Sequence, residues 1–253
     1  MKIFAIVNRK GGVAKTTTAH AMGAYLTRQG FRVLFIDLDS QCNLSAAVCG
    51  ALNTWDEDST AYSIFSKEPS RGFIYTNNGA DIIPGSPRLA TADTLLSDRA
   101  GELKKYLKEL SKQYDYVILD CPPGLGMLTT AALIAATDVI ITAGVDLFSI
   151  QAMTAIIQQA DLIRKKLNKR LTIAGVLLTR YDKRSSFTRS VHEQIRGLCE
   201  QMHVRLFDTV IRENIALKEA QAGALDIFAY APRSNGAKDY TAFMEELLHE
   251  EEN

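Results

Sequence analysis

Six short, almost entirely apolar runs recur along the chain, and they constrain its fold more than any other feature. Segments with helical periodicity separate them. A strand that is apolar on both faces needs cover on both faces, which helices provide in parallel sheets. The alternation therefore predicts an α/β fold: a doubly wound, mainly parallel sheet flanked by helices. The predicted strands are 3–7, 33–39, 116–120, 138–144, 174–179 and 204–211.

The segments between these strands indicate one domain. They contain no proline- or glycine-rich linker and no internal repeat, and 253 residues suffice for a full core. We expect residues 1–253 to form a single domain, without a separate N-terminal helix-turn-helix because the first strand begins near residue 2. We interpret the irregular segment 53–80 as a surface excursion that holds short elements. Residues 235–249 are predicted to form a last helix with one apolar face on the sheet.

Cysteine usage and hydropathy favour a cytoplasmic protein. The four cysteines are scattered and form no C-x-x-C pair, which is typical of reduced thiols. The first apolar run is too short for a signal peptide. The longest apolar region, 131–148, is interrupted by Asp138 and Asp146 and is not a membrane span.

A net charge of zero hides a strongly basic segment. Residues 164–212 contain twelve lysines and arginines but four acidic residues, an excess of eight positive charges. One interpretation is a solvated helical face that happens to be basic. The other is a binding surface for an acidic polymer, with nucleic acid as the leading candidate. Charge alone leaves both interpretations open.

The loop NRKGGVAKTTT, residues 8–18, follows the first strand and precedes a helix. Backbone N–H groups and the helix dipole attract an anion at such a place. Lys15 offers charge to phosphates, and the Thr16 hydroxyl offers a ligand to Mg²⁺. The loop departs from G-x-x-x-x-G-K-[ST], since Arg9 and Ala14 replace both outer glycines. We expect Ala14 to adopt a negative φ, because a Cβ is costly at positive φ.

Acidic residues end two other strands. In DLDSQCN (37–43), Asp37 and Asp39 alternate after a strand, where a carboxylate can orient water or hold a magnesium-bound water. Taken alone, this pair is a weak signal. In DYVILDCPPGLG (115–126), Asp120 follows four apolar residues, as in strands that deliver a carboxylate to the waters around a metal. Three such motifs in this order predict a nucleotide site.

The motifs KGGVAKTT, DLDSQCN and ILDCPPGLG together resemble the deviant Walker A ATPases of the ParA/MinD superfamily, especially small Soj-like ParA partition proteins. The resemblance continues through GVLLTRYDKRS, TVIREN and YAPRSNGAKDY and covers essentially the whole chain. It implies a P-loop NTPase fold and an ATP hydrolase with weak intrinsic, partner-stimulated activity. ATP and Mg²⁺ are the implied cofactors.

The resemblance also implies the catalytic residues, which are Lys10, Lys15 and Asp39. Lys10 would be the signature lysine that reaches across a dimer interface to the partner's nucleotide. It would then act as an arginine finger does, stabilising charge on the transferred phosphoryl group. Asp39 would position or activate the attacking water.

The implied metal site combines Thr16 as a ligand with Asp120 behind it, supported by Asp37 or Asp39. Adenine contacts are expected at Arg180, Pro232 and Asn235. The complete implied nucleotide-binding set is Lys10, Gly11, Gly12, Val13, Ala14, Lys15, Thr16, Thr17, Arg180, Pro232 and Asn235.

By the same resemblance, the function would be DNA partition. ATP would close a homodimer, and the dimer's basic surface would bind double-stranded DNA without sequence preference. Hydrolysis stimulated by a ParB-type centromere-binding protein would release it, so the protein would be cytoplasmic and nucleoid-associated, without a membrane partner. Candidate DNA contacts are Lys183, Arg184, Arg189 and Lys218.

Two departures and one alternative accompany this hypothesis. Ser40 replaces a proline, and the segment usually written I-P-R-N has Arg212 and Glu213 at its centre. The alternative is a MinD-type ATPase that cycles on membranes, but its basic amphipathic tail helix is replaced here by EELLHEEEN (245–253). An electron-transfer protein of the nitrogenase iron-protein kind would need cysteines placed to hold a cluster between subunits, and none of the four cysteines is suited to that. A small-molecule ligase with a similar loop would leave the basic segment 164–212 unexplained.

Overall fold

The computed structural model describes residues 1–50, 55–66, 74–77 and 79–249, and these contain an eight-stranded sheet. The strands are β1 Lys2–Val7, β2 Val33–Asp37, β3 Tyr75–Asn77, β4 Ala80–Ile83, β5 Tyr116–Asp120, β6 Asp138–Gly144, β7 Thr172–Tyr181 and β8 Leu206–Arg212. Their order across the sheet is β3-β4-β2-β5-β1-β6-β7-β8. The edge strand β3 pairs antiparallel with β4, and the other described pairings are parallel.

Helices connect the strands and cover both faces. They are α1 Lys15–Arg28, α2 Asn43–Cys49, α3 Ala61–Phe65, α4 Ala92–Leu95, α5 Glu102–Glu109, α6 Met127–Ala135, α7 Leu147–Lys166, α8 Ser186–Gln201, α9 Ile215–Ala222, α10 Ile227–Tyr230 and α11 Asn235–His249. Short 3-10 turns occupy Glu57–Ser59 and Pro87–Thr91. Across the described ranges, every helix is too short or too polar to traverse a bilayer.

The core lies in two layers, one on each side of the sheet. In β1, Ile3, Ala5 and Val7 pack into the layer beneath α3 to α8, while Phe4 and Ile6 pack into the layer beneath α1, α2 and α9 to α11. Successive side chains of a strand point to opposite faces. Both faces are covered, so every position of β1 after Lys2 is apolar and buried. The predicted doubly wound fold is confirmed.

Residues 53–80 hold short elements where the structure describes them, as predicted, but the interpretation of this segment as a surface excursion is wrong. The helix Ala61–Phe65 is buried along its whole length, and Phe65 is completely enclosed. Residue 80 begins β4, a parallel neighbour of β2 that the sequence analysis missed. These elements have four and five residues, too few for a periodic pattern to emerge. Residues 51–54, 67–73 and 78 of this prediction lie outside the described residues.

The predicted last helix is α11, and it holds the edge strand β8 in place. Glu246 accepts hydrogen bonds from the backbone N–H groups of Asp208 (2.8 Å) and Thr209 (2.9 Å). On its buried face, the Tyr240 hydroxyl lies 3.0 Å from that of Thr18 in α1. The acidic tail residues 250–253 lie outside the described residues.

Replacing Gly23 with alanine is expected to destabilise the protein although it improves helix propensity. Gly23 faces the Phe35 ring, which is 1% exposed, and a Cβ at Gly23 would overlap that ring. Overpacking costs about 1–3 kcal/mol, whereas alanine gains about 1 kcal/mol over glycine within a helix. We therefore expect a lower urea midpoint for Gly23→Ala.

Gly197 in α8 provides the matched control, because a Cβ there would meet nothing within 4 Å. Gly197→Ala is expected to raise the midpoint, by up to about 1 kcal/mol in stability. If both variants were stabilised, the tight contact between α1 and β2 would be contradicted.

Candidate functional site

The loop between β1 and α1 contains two residues with left-handed backbone. Gly12 has φ 73°, and Ala14 has φ 60° and ψ 28°. The expectation of a negative φ at Ala14 is therefore wrong. Ala14 occupies the cap position of α1, where its carbonyl accepts the Thr18 N–H at 2.8 Å. A single left-handed alanine costs about 1–2 kcal/mol, which a loop anchored at both ends can sustain.

The first turn of α1 is open to an anion. No side chain caps it, and no acidic residue lies in that turn. The first N–H groups of a helix have no partner within it. In front of them, a Cβ on Gly11 would meet nothing within 4 Å, so the backbone faces free space. An open helix N-terminus of this kind suits a phosphate group.

A cleft of about 660 Å³ extends from this loop along the carboxyl ends of the strands. Its size is within the range of small-molecule sites. Its lining residues are Gly11, Gly12, Ala14, Lys15, Thr16, Thr17, Asp39, Gln41, Asn43, Ala46, Ala47, Pro123, Arg180, Ile211, Arg212, Glu213, Asn214, Leu217, Lys218, Gln221, Ala222 and Tyr240. Val13 is not among them, because its side chain is buried and its carbonyl accepts the Thr179 hydroxyl at 3.1 Å.

Lys15 is held inside the loop. Its side chain is buried, and Nζ donates a hydrogen bond to the Lys10 carbonyl at 3.0 Å. Burial lowers the pKa of Lys15, while the nearby Asp120 carboxylate acts in the opposite direction. A phosphate beside Nζ would stabilise the charged amine further, so the position suits the predicted phosphate contact.

Asp120 and Thr16 form a polar pair at the base of the cleft. The Thr16 hydroxyl donates to Asp120 Oδ2 at 2.6 Å. In the described chain the other oxygen, Oδ1, is buried without a hydrogen-bond partner. Burial raises the pKa of Asp120 well above its ordinary value, and Asp37, opposite it in the β2–β5 register, raises it further. A buried carboxylate oxygen lacking a partner suits a cation or a cation's water.

The two aspartates after β2 have different surroundings. Asp37 is fully buried and accepts hydrogen bonds from the Ser45 N–H (2.9 Å), the Ser45 hydroxyl (2.7 Å) and the Asp39 N–H (3.1 Å). Burial raises the pKa of Asp37 to about 6. Asp39 lines the cleft instead, and its Oδ1 accepts the Gln41 N–H at 3.0 Å. The structure thus separates a carboxylate that shapes the loop from one that faces the cleft.

These oxygen donors fit magnesium. Magnesium binds through oxygen, commonly one or two carboxylates with the rest from phosphates and waters. The described residues contain no cluster of three or more His, Cys, Asp or Glu side chains able to hold a metal alone. Thr16 and Asp120 therefore suit a Mg²⁺ ion held jointly with nucleotide phosphates.

The Lys10 side chain does not line the cleft of its own chain. Its Nζ lies 2.7 Å from Asp146 Oδ2, with side-chain exposures of 43% and 33%. Asp146 also caps α7, accepting the N–H groups of Phe148 (3.0 Å) and Ser149 (3.2 Å). Partial burial raises the pKa of Asp146, but Lys10 and the hydrogen bonds from Ser149 together outweigh burial, and the pKa is lowered overall. An ion pair this exposed contributes at most about 1 kcal/mol, so Lys10 is easily released.

The far end of the cleft involves residues that the sequence analysis missed. Ile211, Asn214 and Leu217 line it. The match at TVIREN, at the end of β8, contains Ile211 and Asn214 and could have indicated them, whereas Leu217 lies outside it. Pro232 and Asn235 are exposed and do not line the cleft. Their adenine role remains a prediction.

Glu213 organises the rim of the cleft. Its carboxylate binds Arg180 Nε at 3.4 Å and Lys218 Nζ at 3.4 Å. Arg180 has φ 55° and also donates to the Gly12 carbonyl at 3.2 Å. Glu213, one of the two residues that depart from the I-P-R-N pattern, thus pairs with two cations at the rim of the cleft.

Three of the four candidate DNA contacts lie together. Lys183, Arg184 and Arg189 are exposed where β7 turns into α8, and Arg189 Nη1 donates to the Lys183 carbonyl at 3.0 Å. Arg184 lies 3.5 Å from Asp182. Lys218 is exposed on α9, paired with Glu213.

Comparison with known proteins shows relatives and solved structures that match nearly the whole chain. A family model described as AAA domain matches residues 1–173. The chain is 35% identical over 252 residues to the sporulation initiation inhibitor protein Soj of Bacillus subtilis, covering 97% of this chain and 98% of the relative. It is 34% identical over 244 residues to the chromosome-partitioning ATPase Soj of Thermus thermophilus, covering 96% and 94%. The crystal structure of cobyrinic acid a,c-diamide synthase from Mycobacterium smegmatis with bound ATP analogue and magnesium is also similar: TM-score 0.82, 28% identity, 100% of this chain and 96% of that one.

Proposed function

The chain belongs to the Soj/ParA family and is an ATP hydrolase that uses Mg²⁺, and we propose that it is a DNA-partition ATPase. In this proposal residues 1–253 act as one domain. ATP closes a homodimer, the dimer binds double-stranded DNA without sequence preference, and hydrolysis releases it. A ParB-type centromere-binding protein stimulates the weak intrinsic hydrolysis, and the protein works on the nucleoid.

The observation that carries the proposal is the position of Lys10. It lies outside its own cleft, held by one weak ion pair on a face where Phe148 is 74% exposed. An exposed aromatic ring (Phe148) near a cation in a weak ion pair (Lys10) supports the proposal that a second copy of the chain covers this face. A second copy placed there brings Lys10 toward the facing phosphates, as an arginine finger supplied in trans.

Each remaining residue has a role in the proposed chemistry. The amides of the loop and Lys15 would bind the phosphates, and Thr16 and Asp120 would hold Mg²⁺, which would neutralise phosphate charge. Asp39 orients the attacking water and accepts its proton. Asp37 keeps the segment that carries Asp39 in place through its hydrogen bonds to Ser45.

The proposed DNA contact depends on charge rather than base sequence. Lys183, Arg184 and Arg189 form an exposed basic group at the edge of the sheet that also carries the cleft. Cations on phosphates bind DNA of any sequence by releasing its counterions. Placed beside the proposed dimer face, such a group can respond to dimer closure.

We expect DNA binding to require ATP and to weaken steeply with salt. Four phosphate contacts would give a slope of about −3.6 in log affinity against log salt, or about a hundredfold loss between 50 and 200 mM. The measurement is co-sedimentation with non-specific duplex DNA in ATP and in ADP, beside anionic liposomes. Equal binding in ADP would contradict the switch, and ATP-dependent retention on liposomes alone would favour the membrane-cycling alternative.

A further inference from the structure

The basic segment identified in the sequence is divided between two ends of the molecule. Helix α7 starts beside Lys10 at the carboxyl edge of the sheet and runs for 20 residues, antiparallel to the strands. A helix of that length spans about 30 Å. Its last turn and the following loop therefore lie at the opposite edge of the sheet, far from the cleft.

This opposite edge carries a dense group of cations, here named the far-end patch. It consists of Arg164, Lys165, Lys166, Lys169 and Arg170, all exposed. Arg164 pairs with Asp161 at 2.8 Å. Within the described ranges, the other four make no ion pair.

The far-end patch has a fixed backbone. The Asn168 side chain is buried between the cationic residues, and its Nδ2 donates to the carbonyls of Leu133 (3.1 Å) and Ala136 (2.7 Å). Leu171 next to it is also buried. The loop is therefore anchored to the end of α6, and its cations project from a rigid base, which lowers the entropy lost on binding.

Three cations that line the cleft are paired, unlike four of the five cations in the far-end patch. Arg180 and Lys218 share Glu213, and Arg212 binds Asp239 at 2.6 Å. A paired cation must give up an internal contact before it can bind a phosphate. The unpaired lysines of the far-end patch lose no such contact, so they are the better phosphate ligands.

We propose that the far-end patch is a contact for the phosphate backbone of double-stranded DNA. This inference rests on the proposed function and adds to it a second binding surface, remote from the nucleotide. Four closely spaced cations without acidic partners complement a polyanion. The patch also exposes Leu162 and Leu167, and for that reason anionic vesicles belong in the test.

The position of the far-end patch has a consequence in the proposed dimer. When two chains meet at their carboxyl edges, each patch lies about 30 Å of helix away from the interface. The two patches then occupy opposite poles of the dimer. Such a dimer can hold two separate duplexes, one at each pole.

The test variant is Lys165→Gln, Lys166→Gln and Lys169→Gln combined. Glutamine keeps helix propensity close to that of lysine and removes three charges. We expect DNA binding in Mg²⁺ and ATP to weaken at least about tenfold, with the salt slope reduced by about 0.9 for each lost phosphate contact. ATP-dependent dimerisation, followed by light scattering, should not change.

The matched control removes three charges elsewhere, from Lys104, Lys108 and Lys112. These lysines are exposed on α5 and just after it, without an ion pair in the described chain. The control variant, with glutamine at all three positions, should bind DNA within about twofold of the wild type, because it loses the same number of charges while all five cations of the far-end patch remain.

Each outcome is decisive. Wild-type affinity in the far-end variant would overturn the inference while leaving the DNA-partition proposal intact, whereas a wild type that binds no DNA would overturn both. Loss of binding to phosphatidylglycerol vesicles instead of DNA would overturn the DNA assignment. If bead-bound DNA captured no second duplex with wild-type protein and ATP, the two-pole arrangement would be wrong.

Discussion

Replacing Lys10 with alanine is expected to abolish the ATP-dependent dimer and to lower turnover by about 10³-fold or more. Lys10 does not line the cleft of its own chain, where Lys15 and the loop backbone are the proposed phosphate contacts. Nucleotide affinity of the monomer should therefore stay within a few-fold of the wild type. Light scattering with ATP measures the dimer, and a steady-state phosphate assay measures turnover.

Asp146→Asn is the informative companion to Lys10→Ala. Asparagine remains a good helix cap for α7 but removes the charge that holds Lys10. Because the ion pair contributes at most about 1 kcal/mol, dimerisation should be unchanged or up to about fivefold tighter. A Lys10→Ala protein that still dimerised with ATP would refute the role of this lysine in trans.

The strands were predictable because both faces of the sheet are covered. Two-sided burial produces continuous apolar runs such as Phe4 to Val7, which local sequence reveals directly. The strand Ala80–Ile83 was missed, and the burial of the helix Ala61–Phe65 was not predicted, for a different reason. Their burial depends on packing between segments distant in sequence, and each is too short for a periodic pattern of apolar residues to be recognised.

The phosphate loop was predictable because strand, loop and helix are contiguous in sequence. The positive φ of Ala14 was not predictable, because the turn into α1 imposes its dihedral angles. The residues at the far end of the cleft were not predictable either. Glu213 meets Arg180 only where β7 and β8 lie side by side.

Charge counting found the basic segment but not its division. Residues 164–212 pass along the end of α7, up β7, down α8 and into β8. Helices and strands run in opposite directions here, so cations close in sequence reach opposite edges. The excess of positive charge in this segment could be counted from the sequence, but the distribution of its cations over two separate surfaces could not be predicted from it.

Asp39→Ala is expected to stop turnover while leaving the ATP-bound dimer assembled on DNA. Asp39 faces the cleft, and a positioned general base contributes about 10²- to 10⁴-fold. Its side chain makes one described hydrogen bond, to the Gln41 N–H, so alanine removes the proposed base with little structural loss. Lys10, Lys15 and Thr16 stay in place, and the bound state should accumulate.

Single-turnover hydrolysis and DNA co-sedimentation in the same Asp39→Ala sample measure both effects. Asp37→Asn provides the contrast, because Asp37 is enclosed by Ser45 and the Asp39 amide rather than by the cleft. Loss of the Asp37 carboxylate should lower the denaturation midpoint without trapping the protein on DNA. Wild-type turnover in Asp39→Ala would remove this carboxylate from the chemistry, and release from DNA on ATP addition would contradict the proposed order of the cycle.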